Sequence, residues 1–255
     1  MKSNILAPVL LASVSLAAFS NAQQVSFNIP NAQNPGSGSS IGISNAAGTI
    51  KSLMSTYDMT TNEFAFSAKF GPVPGSSTLK TDAFWLVLSP GKNPKGTADE
   101  LAILYFDAIN PNNATLTAYA YNGVNGNNSF QTANARIISS RLDPSVLKAV
   151  TAVTEGNERT LGFKINAEAI KNFIPQNGNP ANWTGLKYGP EKVGIWFHPT
   201  AGTTMNYSGG WLSQYSFKKE GWFDGENFKA VPEPMTMGLL AIGLAGIAAR
   251  KRRKS

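Results

Sequence analysis

NEFAFSAKF, residues 62–70, alternates with a period of two. Phe64, Phe66, Ala68 and Phe70 fall on one face, and Glu63, Ala65, Ser67 and Lys69 fall on the other. This is the mark of a strand with one buried face. Outward from it, the chain keeps the same style. DAFWLVLS (82–89) and LAILYF (101–106) are apolar on both faces and read as central strands. ATLTAYAY (114–121) alternates again, with Leu116, Ala118 and Ala120 opposite Thr117, Tyr119 and Tyr121. QVSFNI (24–29), ARIIS (135–139), TLGFKIN (160–166), KVGIWFH (192–198) and WLSQYSF (211–217) supply further short strands.

Between these runs lie GPVPGSS, SPGKNPKG and YNGVNGNNS, rich in residues that favour turns. PNAQNPGSGSSIG (30–42) reads as a surface loop, and EGWFDGENFKAVPEP (220–234) as a connector after the last strand. Helical signal is sparse. Asp143 and Pro144 cap and begin a short turn through Val150. Asn166 does the same for AEAIKNFI, where Ala167, Ile170 and Ile174 share a face. The expected fold is mostly β: an antiparallel β-sandwich, jelly-roll or concanavalin-like, with one or two short helices.

The 255 residues carry a formal charge of +7, and its distribution matters more than its size. Lys2 and the run from Arg250 to Lys254 hold six of the twenty-two basic residues, while all fifteen acidic ones lie between them. The interior is thus near neutral, with no basic block beyond Lys218 and Lys219. Nucleic-acid binding, which calls for a clustered basic face, is disfavoured. The chain has no cysteine, so disulfides, thiolate nucleophiles and cysteine-held metals are excluded. About 210 residues between the ends are enough to bury a core without such staples.

The two ends differ from the middle. MKSNILAPVLLASVSLAAFSNAQQ has Lys2, an apolar stretch from Ile5 to Phe19, and small residues at Ser20 and Ala22. That three-part pattern is a secretory signal peptide over residues 1–22, cut between Ala22 and Gln23. A buried N-terminal helix is the bland alternative. At the other end, residues 229–234 make a linker with a Pro-Glu-Pro unit. Met235 to Ala249 are then fifteen uncharged residues, followed by a basic tail at 250–255. As a helix this run spans about 22 Å, short of the roughly 30 Å bilayer core. Snorkelling stems of Arg250 and Lys251 lengthen it, and the basic cluster stays cytoplasmic. The alternative, a buried core helix, would have to dispose of five adjacent charges.

Val231, Pro232, Glu233 and Pro234, the short apolar run, and Arg250, Lys251, Arg252, Arg253 and Lys254 together resemble the PEP-CTERM sorting signal of Gram-negative bacteria. The resemblance covers only the C-terminal 25 residues or so. It implies export across the inner membrane by the secretion machinery and a transient C-terminal anchor. Processing by an integral-membrane, cysteine-dependent exosortase would follow, leaving the product at the cell surface or outside the cell. Such proteins often belong to species that make extracellular polysaccharide. By the same resemblance Pro232, Glu233 and Pro234 are recognition residues, not catalytic ones.

The interior, residues 23–228, shows no catalytic constellation. Glycoside hydrolysis needs two carboxylates about 5–5.5 or 6.5–9.5 Å apart. Glu100 and Asp107 point to opposite faces of a straight strand, and Asp99 and Asp107 lie roughly 26 Å apart along it. His198 is the sole histidine and no GxSxG elbow accompanies it. Its place beside Pro199 suggests a structural or surface role. Calcium is the one candidate cofactor: FDAINPNN brings Asp107, Asn110 and Asn112 near one another, and YNGVNGNN adds Asn122, Asn125 and Asn127. Asn-rich turns of this kind also form without metal.

Trp85 and Trp196 sit in dense apolar strands and are expected in the core. Trp183, Trp211 and Trp222, with Tyr119 and Tyr121, are candidates for exposed rings that stack on a neutral polysaccharide. Packing at strand edges and turns is the simpler use of such rings. The leading functional expectation is a non-enzymatic structural protein of the cell surface or extracellular matrix. A non-catalytic carbohydrate-binding module comes second and a glycoside hydrolase third.

Overall fold

The computed structural model describes residues 24–35, 38–78, 80–176, 179–186 and 191–232. The expected signal peptide, Glu233, Pro234, the apolar run 235–249 and the tail 250–255 lie outside the described residues. Among the described residues no helix is long and apolar enough to cross a membrane.

Two large antiparallel sheets make up the body. The first contains β1 (Gln24–Ile29), β3 (Thr49–Asp58), β4 (Glu63–Gly71), β9 (Leu147–Glu155), β10 (Glu158–Asn166) and the two-residue β16 (Val231–Pro232). Its order is β16-β1-β3-β4-β10-β9. The second is ordered β2 (Ser39–Ser44), β15 (Trp222–Lys229), β11 (Lys192–Ala201), β5 (Thr81–Ser89), β6 (Ala98–Asp107), β7 (Thr115–Asn122), β8 (Arg136–Ser139), with β14 (Lys219–Glu220) also beside β11. A hairpin of β12 (Thr204–Ser208) and β13 (Trp211–Ser216) stands apart from both. One short helix, α1 (Glu168–Lys171), completes the described regular structure with a few 3-10 turns. Asn166 accepts a hydrogen bond from the Glu168 amide at its start.

The alternation in NEFAFSAKF sets how the sheets meet. Phe64, Phe66, Ala68 and Phe70 on β4 are all buried. The Phe66 ring lies 5.6 Å from Phe84 and 5.4 Å from Phe197, both on the second sheet. Phe163 on β10 likewise stacks 6.1 Å from Phe84. One apolar cluster therefore joins Val25, Leu53, Phe66 and Leu161 of the first sheet to Leu86, Leu104, Ile195 and Phe223 of the second. The two sheets pack face to face.

Four local readings are corrected. The loop expected through Gly42 contains β2, which pairs with β15. Its serines and glycine carry no strand signature, because an edge strand needs few apolar contacts. The turn begun by Asp143 stops at Val146 and becomes β9, which is mostly exposed and so lacks the alternation of a half-buried strand. EGWFDGENFKAVPEP is no connector: β15 sits between β2 and β11, burying Phe223 and Phe228, and Val231–Pro232 pairs with β1. The segment assigned to a linker from residue 229 is thus within the body as far as Pro232. The reason is the Gly225 position, where a Cβ would meet the Phe228 ring at 2.6 Å, and a register shift there breaks the apparent period. Finally, β7 is buried on both faces rather than one.

Candidate functional site

The outer face of the second sheet carries a cluster of large aromatic residues. β5 contributes Trp85, β6 Tyr105, β7 Tyr119 and Tyr121, and β11 Trp196. The hairpin β12–β13 and the segment 122–131 close over them. Tyr119 Oη accepts from the Leu212 amide at 2.8 Å, and Ser139 Oγ donates to the Gly210 carbonyl at 2.6 Å. Trp85 Nε1 donates to Asn127 Oδ1 at 3.1 Å, and Tyr105 donates to the Gly126 carbonyl. Gly126 lies so close over Trp85 that a Cβ there would stand 2.3 Å from the ring. The Asn-Gly repeat is thus a lid on two aromatic side chains.

This cover decides the fate of two candidate rings. Tyr119 and Tyr121 are completely buried, so neither presents a face to a ligand. Burial pushes the Tyr121 hydroxyl up to about 12. Trp211 is half-buried on the hairpin, with its ring 5.7 Å from Tyr119 and the Arg136 guanidinium 5.4 Å from its centre. Trp222 is half-buried on β15, opposite Ser44 of β2. Trp85 and Trp196 are in the core as expected.

Trp183 occupies a different place. Asn179 caps the 3-10 turn Pro180–Asn182 that delivers it, and its Nε1 donates to the Ile170 carbonyl at 2.8 Å. Phe173 tilts against the ring at 5.1 Å. The Thr184 and Gly185 amides both donate to the Glu100 carbonyl, fastening the segment beside β6. The half-buried indole borders a groove of about 460 Å³ with Tyr57, Met59, Ile170, Lys171 and Leu186. Among the described residues that line it, none is a carboxylate. Tyr57, Met59 and Lys171 escaped sequence reasoning, since β3, the segment after it and α1 meet only through long-range pairing.

Of the calcium candidates, Asp107 and Asn110 are engaged with the protein. Asp107 Oδ1 accepts from the Ile109 amide, and Oδ2 accepts from Tyr207 Oη at 3.0 Å. Burial raises the Asp107 pKa, against the pull of those two donors and Arg141. Asn110 Oδ1 caps the turn Pro111–Asn113 through the Asn112 amide, and Asn112 is exposed. Asn122 and Asn125 also accept from nearby backbone amides. Among the described residues no three His, Cys, Asp or Glu side chains group as metal ligands.

His198 lies in a cage of rings. It stacks on Trp85 at 3.9 Å and 11°, meets the edge of Trp196 at 5.3 Å, and places Nδ1 3.0 Å from Glu220 Oε1. Burial lowers its pKa below the usual histidine value, and Glu220 works in the opposite direction.

The described part of the C-terminal candidate set is Val231 and Pro232. They lie opposite Ser26 and Val25 on β1, with Val231 exposed. Residues 230–253 match the PEP-CTERM protein-sorting motif. The chain carries that sorting signal near its C-terminus. This makes it an exported, exosortase-sorted surface or extracellular protein with a β-rich body. Of the two sheets, the match reaches only β16, at the edge of the first. No curated protein matches the chain. A solved structure described as "pH-induced modulation of Streptococcus parasanguinis adhesion by Fap1 fimbriae" is similar at 10% identity over 80% of this chain and 96% of that one. Its TM-score of 0.22 is too low to inform fold or function.

Proposed function

We propose that the body is a non-enzymatic structural component of the cell surface or extracellular matrix, of jelly-roll or concanavalin-like topology. Residues 1–22 direct its export, and Met235 to Ala249 hold it in the inner membrane with the basic tail on the cytoplasmic side. An exosortase-type enzyme then frees it in a Gram-negative-type cell. The observation that carries this reading is the direct join between sorting motif and body. The motif begins on a paired strand, so what is sorted is a rigid two-sheet unit.

A second reading is neutral-glycan binding, and the Trp183 groove favours it. Its volume falls in the range of small-ligand sites. The fixed indole offers an apolar face, with Lys171 at the margin. A lining free of carboxylates supports binding over hydrolysis there.

Two measurements test these readings. Recovery of the full-length chain solely from the cytoplasm would overturn export. A screen of neutral and anionic polysaccharides at low and high salt separates the roles. Neutral-glycan retention that survives salt and is lost in Trp183→Ala, with circular dichroism unchanged, establishes binding. Retention of none leaves the structural reading ahead. Selective, salt-sensitive retention of anionic polymers contradicts the near-neutral interior.

A further inference from the structure

Both ends of the described chain meet at one edge of the first sheet. β1 begins at Gln24, two residues beyond the expected cut after Ala22, and β16 ends at Pro232, where the Pro-Glu-Pro unit begins. The two strands are antiparallel neighbours, with Val25 opposite Pro232 and Ser26 opposite Val231. On its other side β1 is zipped to β3 along its whole length, from Gln24–Asp58 to Ile29–Leu53. β16 is therefore docked on a rigid strand. Buried Ala230, whose amide donates to the Glu191 carbonyl at 2.8 Å, anchors the chain just before it.

We propose that β16 is a latch that holds the sorting motif against β1, and that processing requires the latch to open. The inference rests on the reading of 230–253 as a processed sorting signal. An enzyme that reads Val231 to Pro234 must surround an extended backbone. While β16 is paired, a neighbouring strand stands only about 4.8 Å away and occupies one side of that backbone. Slack cannot solve the problem. Three Cα steps separate Pro232 from Met235, which span at most about 11 Å.

The latch is built to open. It is two residues long, and proline has no amide to donate, so the pairing makes few hydrogen bonds. Val231 is 45% exposed and adds little burial. Short, exposed terminal pairings of this kind open locally without unfolding the rest. β1 itself, held by β3 and by the buried side chains of Val25 and Phe27, stays in place. The sheet edge thus presents the motif intermittently and keeps the folded body close to the site of processing.

The chain has no cysteine, so a single cross-link tests the latch cleanly. Ser26 and Val231 lie directly opposite, a geometry within reach of a disulfide. The experiment follows loss of the C-terminal tail from the full-length chain in intact cells, for wild type, each single cysteine variant, and Ser26→Cys with Val231→Cys. An enzyme that binds only the open form is slowed in proportion to the closed fraction, so the oxidised double variant is expected to be processed about tenfold or more slowly. Reductant should restore the double variant to the rate of the Val231→Cys single variant, and Ser26→Cys alone should match wild type. Processing of the oxidised double variant at the wild-type rate would overturn the latch and leave the sorting reading intact. Failure of the two thiols to cross-link would overturn the pairing. A wild-type chain that never loses its tail would overturn the processing reading and the latch with it. Unchanged processing after joint replacement of Pro232, Glu233 and Pro234 would overturn the motif's recognition.

Discussion

The two large sheets share one inner core but end differently on their outer faces. On the first sheet the outer face is polar and open: Lys69 pairs with Glu158 at 3.0 Å, Lys164 with Glu63, and all four side chains are substantially solvated. On the second, the outer face is a second aromatic core beneath a hairpin and an Asn-Gly lid. The same alternating pattern therefore has two meanings. On β4, alternation separates core from solvent. On β7, it separates one core from another.

The largest expected effect comes from the core that both sheets share. Phe66 is 2% exposed and touches rings from both sheets. Phe66→Ala should cost about 3–5 kcal/mol in denaturant unfolding, by lost transfer energy and an unfilled cavity. Its neighbour Lys69, on the open face, is the control. Lys69→Ala loses only a solvated ion pair and should change stability by less than about 1 kcal/mol. Equal losses at the two positions would erase the distinction between the faces of β4.

The second core should respond less, because the lid has some freedom to move away. Gly126→Ala forces a methyl group into the Trp85 ring. Overpacking of this kind costs about 1–3 kcal/mol. Near-ultraviolet circular dichroism should also change, since Trp85, Trp196 and His198 share that packing. An unaltered spectrum and melting midpoint would mean that the Asn-Gly segment does not seal the sheet.

What was legible in the sequence follows the same division. DAFWLVLS and LAILYF read as central strands because residues buried on both faces leave a continuous apolar run. NEFAFSAKF read at once because one face is wet. β9 was missed because neither face is dry enough to leave a period, and β15 because a register shift at Gly225 breaks it. Tyr119 looks exposed because nothing in ATLTAYAY records that β12 and β13, some ninety residues later, fold over it, and Tyr121 because nothing there records its packing against Trp196 of β11. The Trp183 groove was half legible: an indole beside Asn and Gly could be nominated, but its partners Tyr57 and Lys171 come from distant strands and α1. The sorting motif was fully legible, since its features are contiguous.

The smallest effect sharpens the contrast from within the second core, where a titratable ring is held among aromatic ones. His198 packs between Trp85 and Trp196, with Glu220 on Nδ1 and with Asp224 and Lys95 also acting on it. Its folded pKa lies below that of the unfolded chain because burial disfavours the cation, and this outweighs the attraction of Glu220 and Asp224. The unfolded state thus binds the proton first as the pH falls. The contribution of neutral His198 to stability is complete above the ordinary histidine pKa of about 6.5 and is lost as the pH drops through the folded value. Buried carboxyls work the other way: the raised pKa values of Asp107 and Asp224 favour the folded state at low pH. The total curve mixes the two, so the test is the difference between wild type and His198→Gln across that range. Wild type should lose stability on acidification relative to the variant. Glu220→Gln should steepen the loss by removing the group that offsets burial. A flat difference curve would mean that His198 is solvated, and one that rises toward acid would mean that its pairing with Glu220 outweighs burial.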